Sequence, residues 1–198
     1  MANENSLIQE EELWRGEFGD EYLDRNPETN YLRRPFWEGL VQDYEITSAM
    51  EVGSGSGVNL EIVGEYCEGW GVEINTDALL RSREVAPWAN TVQGSIYDLP
   101  FKDNFFEIVF TCGVLIHQPP ANVVEAMEEV VRCSSGLVLS VEYESEEFEE
   151  IPYRGQEGAL WKGPYSRFYE DMNLELVDGG FLTKEQGFDN CTWSLFRK

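Results

Sequence analysis

The residues Met50-Glu51-Val52-Gly53-Ser54-Gly55-Ser56-Gly57-Val58-Asn59-Leu60 constrain this chain more than any other stretch. Ala49, Met50 and Val52 read as the end of a buried strand, three glycines at alternate positions form a turn, and the turn enters a helix. Glycines allow positive φ and let a ligand approach the main chain closely. The start of a helix adds unpaired N–H groups and the positive end of a dipole. This is the shape of a nucleotide cradle. The dinucleotide fingerprint places glycines at the first, third and sixth positions. Counted from Gly53, the sixth position is Val58 and the last glycine arrives early, at Gly57. The spacing argues against NAD.

A chain of 198 residues suits one domain with a substantial core. Hydrophobic residues at 42% and aromatics at 13% are globular values, and no apolar run reaches the length of a membrane span. The first residues, Met-Ala-Asn-Glu-Asn-Ser, lack the basic head and apolar core of a secretory signal, so a cytoplasmic protein without membrane attachment is expected. Cys67, Cys112, Cys133 and Cys191 are far apart and His117 is the only histidine. Neither a disulfide framework nor a metal site is expected. The formal charge of −24 would repel a phosphate backbone, which counts against nucleic-acid partners. It reads as a solvated surface, or as an attraction for a cationic partner.

Taken in order, residues 13–26 place Trp14, Phe18, Tyr22 and Leu23 at helical spacing, with Gly16 and Gly19 weakening a continuous helix. A cap over the ligand site is expected there. Residues 30–44 predict a helix whose apolar face carries Tyr31, Leu32, Phe36, Trp37, Leu40 and Val41, with Pro35 in its first turns. Beyond the glycine loop the pattern predicts a helix over 58–66, a strand over 69–74, a helix over 76–85 and a strand over 90–93. A buried strand over 104–112, a helix over 121–132 and a strand over 136–141 follow. An antiparallel pair over 174–182 and 191–197 closes the chain.

Glu73 falls at the tip of the second strand, twenty residues after Gly53. A carboxylate there can accept hydrogen bonds from both ribose hydroxyls of an adenosine, with Ile74 and Asn75 beside the ribose or the adenine. The tip of the fourth strand, Thr111-Cys112-Gly113-Val114-Leu115-Ile116-His117, lies at the carboxyl end of the sheet, where open α/β sheets bind ligands. The usual pKa of His117 suits proton transfer near neutrality, although a histidine there also serves to orient the loop. Glu142 and Tyr143, at the tip of the fifth strand, are the alternative bases. The run from Glu142 to Glu150 is dense in acid. Tyr153, Arg154, Trp161, Lys162 and Tyr165 then gather aromatics with rare positive charges. That mixture suits a substrate carboxylate or phosphate, or else an ordinary packed helix and loop.

Glu51 followed by Gly-x-Gly-x-Gly resembles the first motif of class I S-adenosylmethionine-dependent methyltransferases. Gly94-Ser95-Ile96-Tyr97-Asp98-Leu99-Pro100-Phe101 resembles the Gly-Asp-Ala-x-x-Leu-Pro-Phe stretch after the third strand of the same family. The resemblance covers residues 46–143 through four ordered motifs. It implies an α/β Rossmann-like sandwich with a seven-stranded, mostly parallel sheet and an antiparallel last strand, preceded by N-terminal helices. It also implies S-adenosylmethionine as cofactor. Glu51, Gly53, Ser54, Gly55 and Gly57 would run under the methionine end, Glu73, Ile74 and Asn75 along the ribose, and Thr111, Cys112 and Gly113 in the fourth motif. Ser95 departs from the family's aspartate. A contact to adenine there would use its hydroxyl or backbone, with Ile96 on the ring and Tyr97 or Asp98 compensating. More finely, residues 14–26, the loop 113–119 and Leu160-Trp161-Lys162 resemble small methylases associated with pseudaminic acid biosynthesis. The resemblance implies methyl transfer to O or N of a small molecule such as a sugar. A protein substrate with a basic segment and a non-catalytic cofactor-binding module are the other two classes, and the residues leave oligomeric state open.

Overall fold

The computed structural model describes residues 4–25 and 30–198. Asn26 and the side chain of Leu23 lie outside the described residues. Two cap helices, α1 (Glu4–Arg15) and α2 (Glu17–Arg25), precede α3 (Asn30–Asp43). Then β1 (Ser48–Val52), α4 (Val58–Val63), β2 (Glu68–Glu73), α5 (Thr76–Val85) and β3 (Asn90–Gln93) alternate. The second half runs β4 (Phe106–Cys112), α6 (Val123–Cys133), β5 (Ser134–Glu142), β6 (Glu149–Glu150), β7 (Trp161–Lys162), α7 (Tyr165–Asp171), β8 (Glu175–Leu182) and β9 (Cys191–Arg197). The main sheet has seven strands in the order β3-β2-β1-β4-β5-β9-β8, and β6 pairs with β7 in a separate short ribbon. The pairs among β1 to β5 are parallel, while β9 is antiparallel to both β5 and β8. The last strand is therefore the antiparallel one, slotted between β5 and β8.

The central strand shows why the sheet needs helices on both faces. Phe106, Ile108, Val109 and Phe110 of β4 are each at most 1% exposed. Ile108 and Phe110 pack with Trp37, Leu40 and Val41 of α3 and Ile62 of α4. Val109 packs on the other side with Val123, Met127 and Val130 of α6 and with Tyr165 and Tyr169 of α7. Strict alternation would put Phe106 with Ile108, but Phe106, at the start of the strand, packs in the Val109 cluster instead, beside an extra residue in β5 between Ser134 and Leu137. Trp37 is fully buried against Phe110, with ring centroids 4.7 Å apart. Tyr31, expected on the apolar face of α3, is instead 67% exposed. The helix after the glycine loop stops at Val63 rather than 66, and residues 64–66 continue as a tighter turn in which the Glu65 and Tyr66 N–H groups donate three residues back, to Ile62 at 3.1 Å and Val63 at 3.0 Å. Among the described residues no helix is long and apolar enough to cross a membrane.

Candidate cofactor and acceptor site

The carboxyl ends of β1, β2, β3 and β4 meet beneath α1 and α2 and enclose a cavity of about 210 Å³. The loop after β1 supplies its floor. Gly53, Gly55 and Gly57 all have positive φ. A Cβ on Gly53 would lie 2.6 Å from Val114 Cγ2, so glycine there lets two strand tips approach. Gly57 does something different. It starts α4, and a Cβ would meet Ser82 Cβ of α5 at 3.0 Å, so its place in the loop serves helix packing and it is absent from the cavity wall.

Two buried carboxyls frame the floor. Glu73 Oε2 accepts from the Gly55 N–H at 2.7 Å and Oε1 from the Asn75 N–H at 2.8 Å, which ties the β2 tip to the glycine loop. Burial raises its pKa against the pull of these bonds. With the Ile74 N–H also drawing on it, the carboxyl keeps lone-pair capacity for a ligand hydroxyl. Glu51, 2% exposed, accepts from Asn59 Nδ2 at 2.6 Å through Oε1. Asn59 Oδ1 accepts in turn from Arg33 Nη1 at 3.0 Å and Trp37 Nε1 at 3.1 Å. Arg33 Nε also donates to the Gly187 carbonyl at 2.8 Å. Burial pushes the Glu51 carboxyl up to about 8, with Asn59 and Arg33 opposing.

The cap is anchored through Asn75. Its Nδ2 donates to the Trp14 carbonyl at 3.1 Å and to Asp20 Oδ1 at 2.8 Å. Gly16 is the break between α1 and α2, whereas Gly19 sits inside α2, where a Cβ would collide with the Trp14 carbonyl and lie 2.8 Å from Asn75 Nδ2. Trp14 then lies over His117, with centroids 4.5 Å apart, and packs edge-on against Phe18 and Tyr22.

His117 is buried in the wall. Its Nδ1 lies 2.6 Å from the Ala159 carbonyl, so the neutral ring carries its proton on Nδ1 and its lone pair on Nε2. Burial lowers its pKa to about 4, against the Ala159 bond. The alternative bases are placed elsewhere. Glu142 is absent from the wall, and its two oxygens accept from the N–H groups of Val114, Leu115 and Ile116 at 3.2 to 3.3 Å. It holds the loop that carries His117. Tyr143 packs in the core between the two clusters and is likewise absent from the wall.

Every expected cofactor residue lines the cavity except Gly57 and Thr111, the latter wholly buried in β4. Ser95 lines it while its hydroxyl accepts from the Tyr97 N–H at 3.1 Å. Tyr97 is in the wall, but Asp98 is exposed and outside it. The segment after β5 is corrected more heavily. Trp161 and Tyr165 are core residues, with the Tyr165 hydroxyl donating to the Trp161 carbonyl at 3.1 Å. Lys162 lies in the short ribbon opposite Glu149, and exposed Arg154 stacks over Tyr153. Only Tyr153 reaches the site, through ring contacts with His117 at 5.3 Å and Phe18 at 6.0 Å. Aromatic residues beside a few cations here build a packed element.

Sequence reasoning missed Glu10, Glu11, Arg33, Gln118 and Asp189, all in the wall. For Arg33 a signal existed. A chain with 14 basic against 38 acidic residues places this arginine on a helix face otherwise given to Phe36 and Trp37. The wall also collects unsatisfied groups. Both Glu10 oxygens, Trp14 Nε1, Glu51 Oε2, Ser54 Oγ and the Tyr97 hydroxyl are buried without a hydrogen-bond partner among the described residues. An unpaired buried polar group costs about 1–3 kcal/mol. So many on one cavity fit a polar ligand bearing donors and acceptors along its length, as an amino acid joined to an adenosine does.

Residues 50–139 match the family described as Methyltransferase domain. This stretch, 90 of the 198 residues, resembles a methyltransferase domain. The match begins at Met50 and so takes in the glycine loop, Glu73, Ser95 and the His117 loop. No curated protein matches the chain. The solved structures that resemble it include 1,6-didemethyltoxoflavin-N1-methyltransferase of Burkholderia thailandensis, with S-adenosylhomocysteine bound. It is 13% identical with a TM-score of 0.76, over 100% of this chain and 90% of that one. Magnesium protoporphyrin IX methyltransferase of Synechocystis PCC 6803, also with S-adenosylhomocysteine bound, is 10% identical with a TM-score of 0.74, over 98% and 99% of the two chains. At such identities the likeness is one of fold, and it extends over the cap and the closing strands as well as the methyltransferase stretch.

Proposed function

We propose that this enzyme methylates an oxygen or nitrogen of a small molecule, a sugar or sugar-derived metabolite being the class to examine first. The observation that carries the reading is the set of unsatisfied polar groups on one capped cavity. Small-molecule acceptors are supported by the cap itself. α1 and α2 cover the strand tips and are tied down through Asn75, which leaves room for a compact acceptor and little for a peptide segment. The two similar methyltransferases are named for low-mass substrates, a toxoflavin precursor and a magnesium porphyrin.

In this reading Glu51 Oε2 receives the cofactor's amino group, Glu73 its ribose hydroxyls, and Ile74 and Ile96 flank its adenine. Gly53 and Gly113, both at positive φ, let the methionine portion pass close to the main chain. When bound, the cofactor supplies a methyl group already activated on a sulfonium. The protein's part is to hold the acceptor in line and dry. Tyr22, His117 and Asp189 line the other part of the wall and form the acceptor's surroundings. His117 is neutral at physiological pH and offers Nε2 to an acceptor hydroxyl, accepting its hydrogen bond and then its proton as the new bond forms.

Incubation with methyl-labelled S-adenosylmethionine and a panel of sugars, nucleotide sugars and small amines tests the reading. Label in a low-mass product supports it. Label recovered only in added polypeptide overturns it.

A further inference from the structure

Among the described residues, Glu10 is a carboxyl that no protein group accounts for. It is 8% exposed, it lines the cavity from α1, and neither oxygen has a partner. The Tyr97 hydroxyl, from the loop after β3, is buried in the same wall and also unpaired. Two groups 87 positions apart thus end at one place without bonding to each other. The charges around them locate that place. Tyr97 feels Glu10, Glu11 and Glu125, whereas Tyr22 feels Tyr153, Cys112, Arg33 and Asp189. The two sets share no member, so Glu10 and Tyr97 occupy one end of the cavity, and Tyr22, Arg33 and Asp189 the other. At the Glu10 end Ile96 adjoins Tyr97 in the chain, and Ile74 follows the tip of the neighbouring strand. Branched aliphatic side chains from adjacent tips suit a flat heteroaromatic ring.

We infer that Glu10, with Tyr97, reads the amino-bearing edge of the cofactor's adenine, so that the cap is part of the cofactor site. The inference rests on the cofactor assignment above. Burial holds the Glu10 carboxyl up to about 9, so it is a neutral acid at pH 7. A neutral acid presents one O–H donor beside one carbonyl acceptor. The adenine edge presents a ring-nitrogen acceptor beside an amino donor, which is the complementary pair. An ionised carboxylate could only accept. Ser95 does not supply a carboxyl at this end, and its hydroxyl already accepts from Tyr97. The acceptor would then enter at the end with Tyr22 and Asp189.

The test is calorimetric titration of the full chain with S-adenosylhomocysteine and with its analogue carrying unsubstituted purine, in which hydrogen replaces the amino group, so that the ring-nitrogen acceptor stays and the donor is lost. Wild type should prefer the adenine form by about tenfold, the worth of one neutral hydrogen bond. Glu10→Gln, whose carboxamide presents the same donor and acceptor, should keep that preference. Glu10→Leu should lose most of it while melting no earlier than wild type without ligand. A preference undiminished in Glu10→Leu, or lost equally in Glu10→Gln, would overturn the inference. Wild type binding neither ligand would instead contradict the cofactor assignment.

Discussion

Glu51→Gln should move the empty protein and the cofactor-bound protein in opposite directions. Glu51 is 2% exposed, and burial lifts its carboxyl from the ordinary 4.5 to about 8. Each pKa unit is worth about 1.4 kcal/mol, so keeping this group in the fold at pH 8 costs on the order of 4 kcal/mol relative to the unfolded chain. The sign follows from proton counting. Between pH 4.5 and 8 the folded state holds a proton that the unfolded state has released, so stability falls as pH rises through that window and levels off above it. Glutamine retains an oxygen for Asn59 Nδ2 and cannot ionise. The empty variant should therefore match wild type near pH 4.5, exceed it by several kcal/mol near pH 8, and show a shallower slope between the two, the remainder coming from Glu142 and Glu10, which burial raises to about 7 and about 9. Cofactor affinity should move the other way. A charge-assisted bond to the amino group, about 1.5–3 kcal/mol, becomes a neutral one, and binding should weaken by roughly tenfold or more. Denaturant melts at both pH values and calorimetry at pH 8 measure the two effects. A variant less stable than wild type at pH 8, or one with unchanged affinity, would refute the role given to this carboxyl.

Other substitutions probe the rest of the floor and the acceptor side. Glu73→Ala should weaken cofactor binding by about 1.5–3 kcal/mol and increase hydrogen exchange at Gly55, because the same carboxylate holds that N–H. Gly53→Ala should destabilise the fold by at least about 1 kcal/mol, since φ is +68° and the new methyl meets Val114; a melt unchanged from wild type would contradict the close approach. His117→Ala should leave cofactor affinity nearly intact and lower turnover. In wild type the pH profile should show no His117 limb between 6 and 7, because that ring is held at about 4.

The strands and the cofactor loops were legible because each is written locally. An apolar run, a glycine turn and an acid at a strand tip can be seen within a few residues, and Thr76–Val85 and Asn90–Gln93 fall where the pattern puts them. Distant convergence was not legible. Glu10, Arg33 and Asp189 reach the cavity from α1, α3 and the turn before β9, and nothing in their own neighbourhoods says which cavity they meet. The role of Glu142 was hidden for a related reason. Its partners are three main-chain N–H groups of another loop, which leave no trace in residue type. Trp161 and Tyr165 show the opposite failure, since aromatic composition is the same whether a ring fills a core or meets a substrate.

Calorimetric titration of the purified chain with S-adenosylmethionine and S-adenosylhomocysteine, with NAD as control, tests the central claim most directly. Saturable one-to-one binding of the first two, and none of NAD, is the expected result. Binding of NAD in their place would contradict the assignment of the cavity.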